Sequence, residues 1–202
     1  MRSRRSSFLS VLGLLCVVAV SASALPASAG TPLPNPSSYG RAIDKLADYQ
    51  PATTCNPTAK PGPKRIVGLL NRTYGTQSTN ISRSCGGSLS EHHEGRAIDW
   101  MVNARNTTQR ARGWNFIHWL KRTDTYGNSY AMTRRTGIMY IIWNGQMWRA
   151  YDPKRGGGAG WTEYNSCLTR YTSSSYDTMC HRNHVHMSFS RPGARAETSY
   201  YN

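Results

Sequence analysis

Asp99 stands inside an otherwise apolar run, Ala97-Ile98-Asp99-Trp100-Met101-Val102, and no other residue constrains the fold as strongly. From Gly95 to Val102 the chain alternates too little for an exposed strand and reads as one buried on both faces. A carboxylate there cannot be left alone, because an unpaired buried charge costs several kcal/mol in practice. It needs a cation, which could be Arg96, Arg83 or a metal ion.

A metal is favoured by the imidazoles that the chain supplies in two clusters, Ser90-Glu91-His92-His93-Glu94-Gly95-Arg96-Ala97-Ile98-Asp99 and His184-Val185-His186. Zinc accepts His nitrogen and Asp oxygen, and its catalytic sites keep three protein ligands plus an open position for water. His92 from the loop before the strand, Asp99 from the strand itself and His186 from a neighbouring strand meet that count. A final strand over residues 183–190 places His184, His186 and Ser188 on one face and Val185, Met187 and Phe189 on the other. His184 then lies about 6 to 7 Å along the strand from His186 by the two-residue repeat. That is too far to ligate the same ion, but close enough to exchange a proton with water activated there.

Ser90-x-His92-x-x-Gly95-x-Ala97-x-Asp99, followed by His184-x-His186 near the C-terminus, resembles the motif pair of the zinc D-alanyl-D-alanine carboxypeptidase superfamily, which includes lysostaphin-type endopeptidases and the hedgehog signalling domain. The chain as a whole is similar to small secreted actinobacterial proteins with this domain. The resemblance implies zinc ligation by His92, Asp99 and His186, with His184 as the catalytic histidine. Dipeptidase members carry a glutamate base three residues before the last ligand; here that position is Asn183, which leaves only the His184 version of the mechanism. Members also hold the substrate carboxylate with an upstream arginine, for which Arg83 is preferred over Arg72. The hedgehog relatives imply that such a metal site can persist where peptidase function is lost.

Around these motifs the elements read as α+β: a small antiparallel sheet with helices packed on one side, the zinc site on the open sheet face, and two disulfides. Ala42, Ile43, Leu46 and Ala47 sit at helical spacing and predict a helix over residues 39–49, stopped by Pro51. Residues 56–63 read as a turn-rich loop, and Ile66, Leu69 and Leu70 mark a second helix ending near Gly75. Thr107 or Thr108 would cap the longest helix, whose apolar face carries Trp114, Phe116, Ile117, Trp119 and Leu120. Asn144-Gly145 between two β-rich runs, residues 137–143 and 146–151, predicts a hairpin with a two-residue turn. Residues 154–160 are Gly-rich but lack the Lys-Ser/Thr ending of a phosphate-cradling loop, so they read as a flexible connection.

The first residues, with Arg2, Arg4 and Arg5, an apolar run from Phe8 to Val20 and Ala27-Ser28-Ala29, read as a signal peptide over residues 1–29. A Pro- and Ser-rich leader over residues 30–38 and a zinc peptidase-like domain over residues 39–202 follow. Removing the signal takes three of the 25 Lys and Arg residues and no acid, so the remainder carries 22 − 10 = +12. That charge suits an anionic surface without identifying it. Cys16 leaves with the signal, and Cys55, Cys85, Cys167 and Cys180 remain, an even number that predicts two disulfides in an exported chain. Four cysteines allow three pairings; Cys55 with Cys85 and Cys167 with Cys180 is favoured, because each closes a modest loop.

His118 and His181 read as structural histidines, and His93 is divided between a role at the site and solvent exposure. Glu91 and Glu94 read more as a solvated pair than as partners of the site. Trp100, Trp114, Trp119, Trp143 and Trp148 read as core, whereas Tyr171 and Tyr176, in a loop near the second motif, are substrate candidates. Together these readings predict a secreted, extracellular, monomeric zinc (Zn2+) peptidase that cleaves amide bonds in bacterial cell-wall peptides or peptidoglycan, with no membrane span and no nucleic-acid partner. The alternative is a non-catalytic, metal-containing cell-wall-binding protein. A nucleic-acid-binding or nuclease role has only charge and histidine content behind it.

Overall fold

The computed structural model describes residues 33–34, 39–152 and 160–202. The signal peptide, nearly all of the leader and most of the Gly-rich loop lie outside the described residues. Among the described residues no helix is long and apolar enough to cross a membrane.

The elements run α1 (Pro61–Tyr74), β1 (Thr79–Asn80), a 3-10 turn (Glu91–Glu94), β2 (Ala97–Trp100), α2 (Thr107–Lys121), α3 (Ala131–Thr136), β3 (Ile138–Trp143), β4 (Gln146–Arg149), β5 (Thr162–Glu163), a second 3-10 turn (Ser174–Tyr176), β6 (Val185–Phe189) and α4 (Arg191–Ala194). The strands form one antiparallel sheet in the order β1-β2-β6-β3-β4-β5, which gives the α+β class expected. The last strand is thus inserted at the centre, between β2 and β3.

Side-chain alternation divides the sheet into two faces. Val185, Met187 and Phe189 of β6 join Ile98 and Trp100 of β2 in the main core, where Ile66 and Leu70 of α1 and Phe116, Ile117 and Leu120 of α2 cover them. The helices form where they do because each presents such a stripe: Pro61 opens α1 at a position needing no N–H donor, and Asn106 caps α2 by accepting from the Gln109 amide. Truncating one buried leucine such as Leu70 to alanine costs about 2 to 5 kcal/mol, more than any propensity difference among ordinary residues. On the opposite face, Met139, Tyr140, Ile142 and Met147 form a smaller cluster, and this face also carries His186 and Ser188.

The hairpin forms as its sequence requires, with Asn144 at φ 49° and Gly145 at φ 78° between β3 and β4. The cysteines pair Cys55–Cys85 and Cys167–Cys180. The helix expected over residues 39–49 does not form; the segment runs without regular structure along the domain. Its carbonyls are taken instead by arginines: Gly40 and Ala42 accept from the buried Arg135 and Asp44 from the half-buried Arg134, and just past the segment Gln50 accepts from the buried Arg96. Those long-range bonds satisfy the backbone groups that a helix would have paired internally.

Candidate metal centre

The first motif is built as a tight corner. Ser90 caps the 3-10 turn, and the His93 ring reaches back so that its Nδ1 accepts from the Ser90 amide at 3.0 Å. His93 is therefore a buried structural residue, neither a ligand nor solvent-facing. Gly95, at φ 64°, ends the turn in the left-handed region, and the chain enters β2 two residues later. Register then brings the two motifs together, since Asp99 on β2 is the direct cross-strand partner of His186 on β6.

His92 Nε2, Asp99 Oδ1 and His186 Nδ1 converge: His92 to Asp99 is 3.2 Å, His186 to Asp99 2.8 Å and His92 to His186 3.3 Å. A tetrahedral zinc with bonds near 2.0–2.1 Å would separate its ligand atoms by about 3.3 Å, so these spacings nearly fit one already. The outward nitrogens are both engaged. His92 Nδ1 faces the Ile81 carbonyl at 3.0 Å, which can only accept, so this nitrogen carries the proton and Nε2 is bare. His186 Nε2 lies 2.9 Å from the Ser188 hydroxyl. Burial would push the Asp99 carboxyl up, but the His186 and His92 imidazoles beside it outweigh that and hold it well below the usual carboxylate range. These three residues could hold a metal ion, and their chemistry and spacing fit one.

His184 adjoins the centre without joining it. Its Nε2 is 3.6 Å from Asp99 Oδ1, and its Nδ1 lies 2.7 Å from the Asn183 side-chain oxygen. The Asn183 amide is itself oriented, donating to the Thr178 hydroxyl at 2.8 Å. His184 Nδ1–H thus donates to Asn183, leaving Nε2 as an acceptor turned toward the centre. Burial lowers the pKa of this imidazole and keeps it neutral.

Arg83 also reaches the site, with a guanidinium nitrogen 3.6 Å from Asp99 Oδ2 on a largely exposed side chain. Its backbone amide donates to the His92 carbonyl at 3.2 Å, and the Cys55–Cys85 disulfide fixes the chain two residues on. Arg72, the other candidate, sits in the last turn of α1 near Tyr200.

Three side chains take places different from those expected of them. His181 is part of the site: its ring is centred 4.7 Å from that of His184 and 5.6 Å from that of His186. It holds a left-handed backbone at φ 51°, and burial lowers its pKa to about 3. The spacing His181-x-x-His184-x-His186 was the available signal for it. Glu91 and Glu94 are buried rather than solvated, each only 6% exposed. Glu91 accepts from the Tyr140 hydroxyl at 2.7 Å, and Glu94 accepts from the amides of Thr53 and Thr54 and from Arg96. Tyr171 and Tyr176 pair with each other in the loop closed by Cys167–Cys180, ring centres 4.8 Å apart. Trp100, Trp119, Trp143 and Trp148 are core, and Trp114 packs at its margin.

A family model described as VldE, C-terminal domain, matches residues 55–175, more than half of the chain. The matched span contains His92, Asp99 and the Cys55–Cys85 disulfide, and it ends before His184 and His186. No curated protein and no solved structure matches the chain.

Proposed function

We propose that this chain, which belongs to the VldE C-terminal domain family, is a secreted zinc-dependent peptidase cleaving amide bonds in bacterial cell-wall peptides. The convergence of His92 Nε2, Asp99 Oδ1 and His186 Nδ1 within 3.3 Å carries this reading, beside a neutral His184 that takes no part in the cluster. The motif pair that these residues form, and its resemblance to the zinc D-alanyl-D-alanine carboxypeptidase superfamily, supply the reaction class. Two disulfides and the expected signal peptide agree with an extracellular location.

When bound, zinc supplies Lewis acidity, polarising a carbonyl and acidifying water. The protein's own groups do the rest. His184, held through its Nδ1–H by the Asn183 side-chain oxygen, accepts a proton at Nε2 from the attacking water and returns it to the departing amine. Arg83, exposed beside Asp99, anchors a substrate carboxylate. The net charge of 22 − 10 = +12 on the chain without its expected signal peptide draws it to anionic wall polymers. Incubation of the zinc-loaded protein with peptidoglycan should release muropeptides or D-alanine. No release from several wall types would rule out catalysis.

Burial of the centre favours one other reading. His92, Asp99, His184 and His186 are each less than a tenth exposed, as suits a metal that only braces a wall-binding protein. On that reading His184→Ala leaves wall binding intact and there is no activity to lose.

A further inference from the structure

A concave pocket of about 200 Å³ lies between the start of α1, the corner before β2 and the two ends of α4. None of His92, Asp99, His184 or His186 lines it; Lys60, Arg96, Arg191 and Arg195 do, with a single acid, Glu94. These charges do not cancel. Glu94 is shared, since Oε2 accepts from the buried Arg96 guanidinium and Oε1 lies 3.7 Å from Arg191 Nη2. Oε1 is further occupied by the amides of Thr53 and Thr54, at 2.9 and 3.2 Å. Arg195 is paired outside the pocket, bidentately with Glu197 at 2.6 and 2.7 Å. Lys60 Nζ has no acid and no hydrogen-bond acceptor among the described residues. Lys60, Arg96 and Arg191 thus meet one carboxylate, an excess of 3 − 1 = +2 in a cleft, which concentrates anions.

The walls are fixed by backbone. The Asn56 amide donates to the His93 carbonyl at 2.7 Å and the Lys60 amide to the Gly95 carbonyl at 2.9 Å, so both residues are tied to the Ser90–Gly95 corner. Asn56 Oδ1 accepts from the Thr58 amide at 3.3 Å, which leaves its NH2 group as a donor. The volume is below the roughly 300 to 1,000 Å³ of pockets for drug-sized ligands and suits a small group. Donors at residues 56, 60 and 191 come from three separate stretches of chain, an arrangement better met by the several oxygens of a tetrahedral anion than by the two of a carboxylate. A guanidinium fork and a compact ammonium are both suited to phosphate oxygens. We infer that this pocket is a binding site for a phosphate group, held by Lys60 and Arg191 with Asn56 as a further donor. Free phosphate and a phosphodiester unit of an anionic polymer present the same oxygens to it.

Calorimetric titration of the full chain with inorganic phosphate, and separately with a glycerol phosphodiester, should show saturable binding of one phosphate group per chain, with acetate bound far more weakly. Which of the two phosphates binds identifies the source, and either sustains the site. Lys60→Gln and Arg191→Gln should each weaken binding roughly 10-fold or more, as expected for losing a hydrogen bond to a charged group. Arg110→Gln, which removes an exposed charge on α2 outside the pocket, should leave it unchanged. Lys60 supports the fold through its backbone amide, which glutamine keeps, so Lys60→Gln tests the site should Arg191→Gln fail to fold. The inference would be overturned by an absence of saturable binding, by acetate binding equally well, or by Arg110→Gln weakening binding as much as Lys60→Gln. Phosphate binding that survives Lys60→Gln, as it would at Arg83 or a bound metal, would overturn it too. The pocket shares no residue with the metal cluster, so a wild-type phosphate response in a protein that releases nothing from peptidoglycan defeats only the peptidase reading.

Discussion

Asp99 and His186 are direct partners across β2 and β6, and their facing atoms, Oδ1 and Nδ1, lie 2.8 Å apart. The backbone register of the sheet thus sets two of the three candidate ligands, and the corner at Ser90–Gly95 sets His92. Wild-type protein should carry one metal ion per chain by elemental analysis, and His186→Ala none. Removing the metal with a chelator should lower the melting temperature, and restoring zinc should recover it. At a free zinc concentration about 100 times the Kd, the recovered stability is about 2.7 kcal/mol. A melting temperature indifferent to chelator and zinc would count against a metal centre.

His184 should separate from the ligands in its effects. His184→Ala removes the proposed proton acceptor but no member of the three-atom cluster, so metal content should stay at the wild-type level. Turnover of a cell-wall peptide should fall roughly 10²- to 10⁴-fold, the range for loss of a general acid–base group. Asn183→Ala should lose less, because the imidazole remains and only its orientation is freed. Parallel kinetics and metal analysis on both variants check the ordering, and loss of metal from His184→Ala would contradict it.

What could be read from the chain was local or periodic. The Asn144-Gly145 turn, the buried run around Asp99 and the apolar stripes of α1 and α2 need only neighbouring residues to specify them. The spacing of the two motifs showed through for the same reason. The features that did not were decided by distant residues. Residues 39–49 carry a helical pattern, yet Arg134 and Arg135, some 90 residues on, hold their carbonyls. Glu91 and Glu94 look solvated until Tyr140 and Thr53, each more than 40 residues away, supply their donors. His181 reaches the site only because its backbone takes a left-handed turn that few side-chain-bearing residues adopt.

The motif glycine at residue 95 has a steric reason to be there. At φ 64° any side chain is strained, and a Cβ would lie 2.1 Å from the Thr58 carbonyl oxygen, a backbone atom that cannot swing aside. The same turn accepts a hydrogen bond from the Lys60 amide at 2.9 Å, so a displaced corner would disturb the start of α1 as well as His92. Gly95→Ala should cost at least about 2 kcal/mol, combining left-handed strain with the clash. Urea unfolding at pH 7 measures it. Zinc affinity should fall in the same variant, since the turn positions His92.

Acid should weaken the domain through Asp124. Partial burial alone would raise its pKa, but bonds from the Asn128 side chain and amide, from Arg135 and from the Tyr126 amide outweigh that and lower it from 3.8 to about 2. A carboxyl whose pKa is depressed by folding stabilises the native state fully above its ordinary pKa, and that contribution disappears as the pH falls through the folded value. The relevant window is therefore from about 4 down to about 2. Arg135, only 1% exposed, raises the stakes, because it also holds the carbonyls of Gly40 and Ala42. Asp124→Asn should lower the urea midpoint at pH 7, and the difference from wild type should shrink as both are measured at successively lower pH, closing near pH 2. A difference that stays constant from pH 7 to pH 2 would mean that the ionised carboxylate is not what ties Arg135 to this loop.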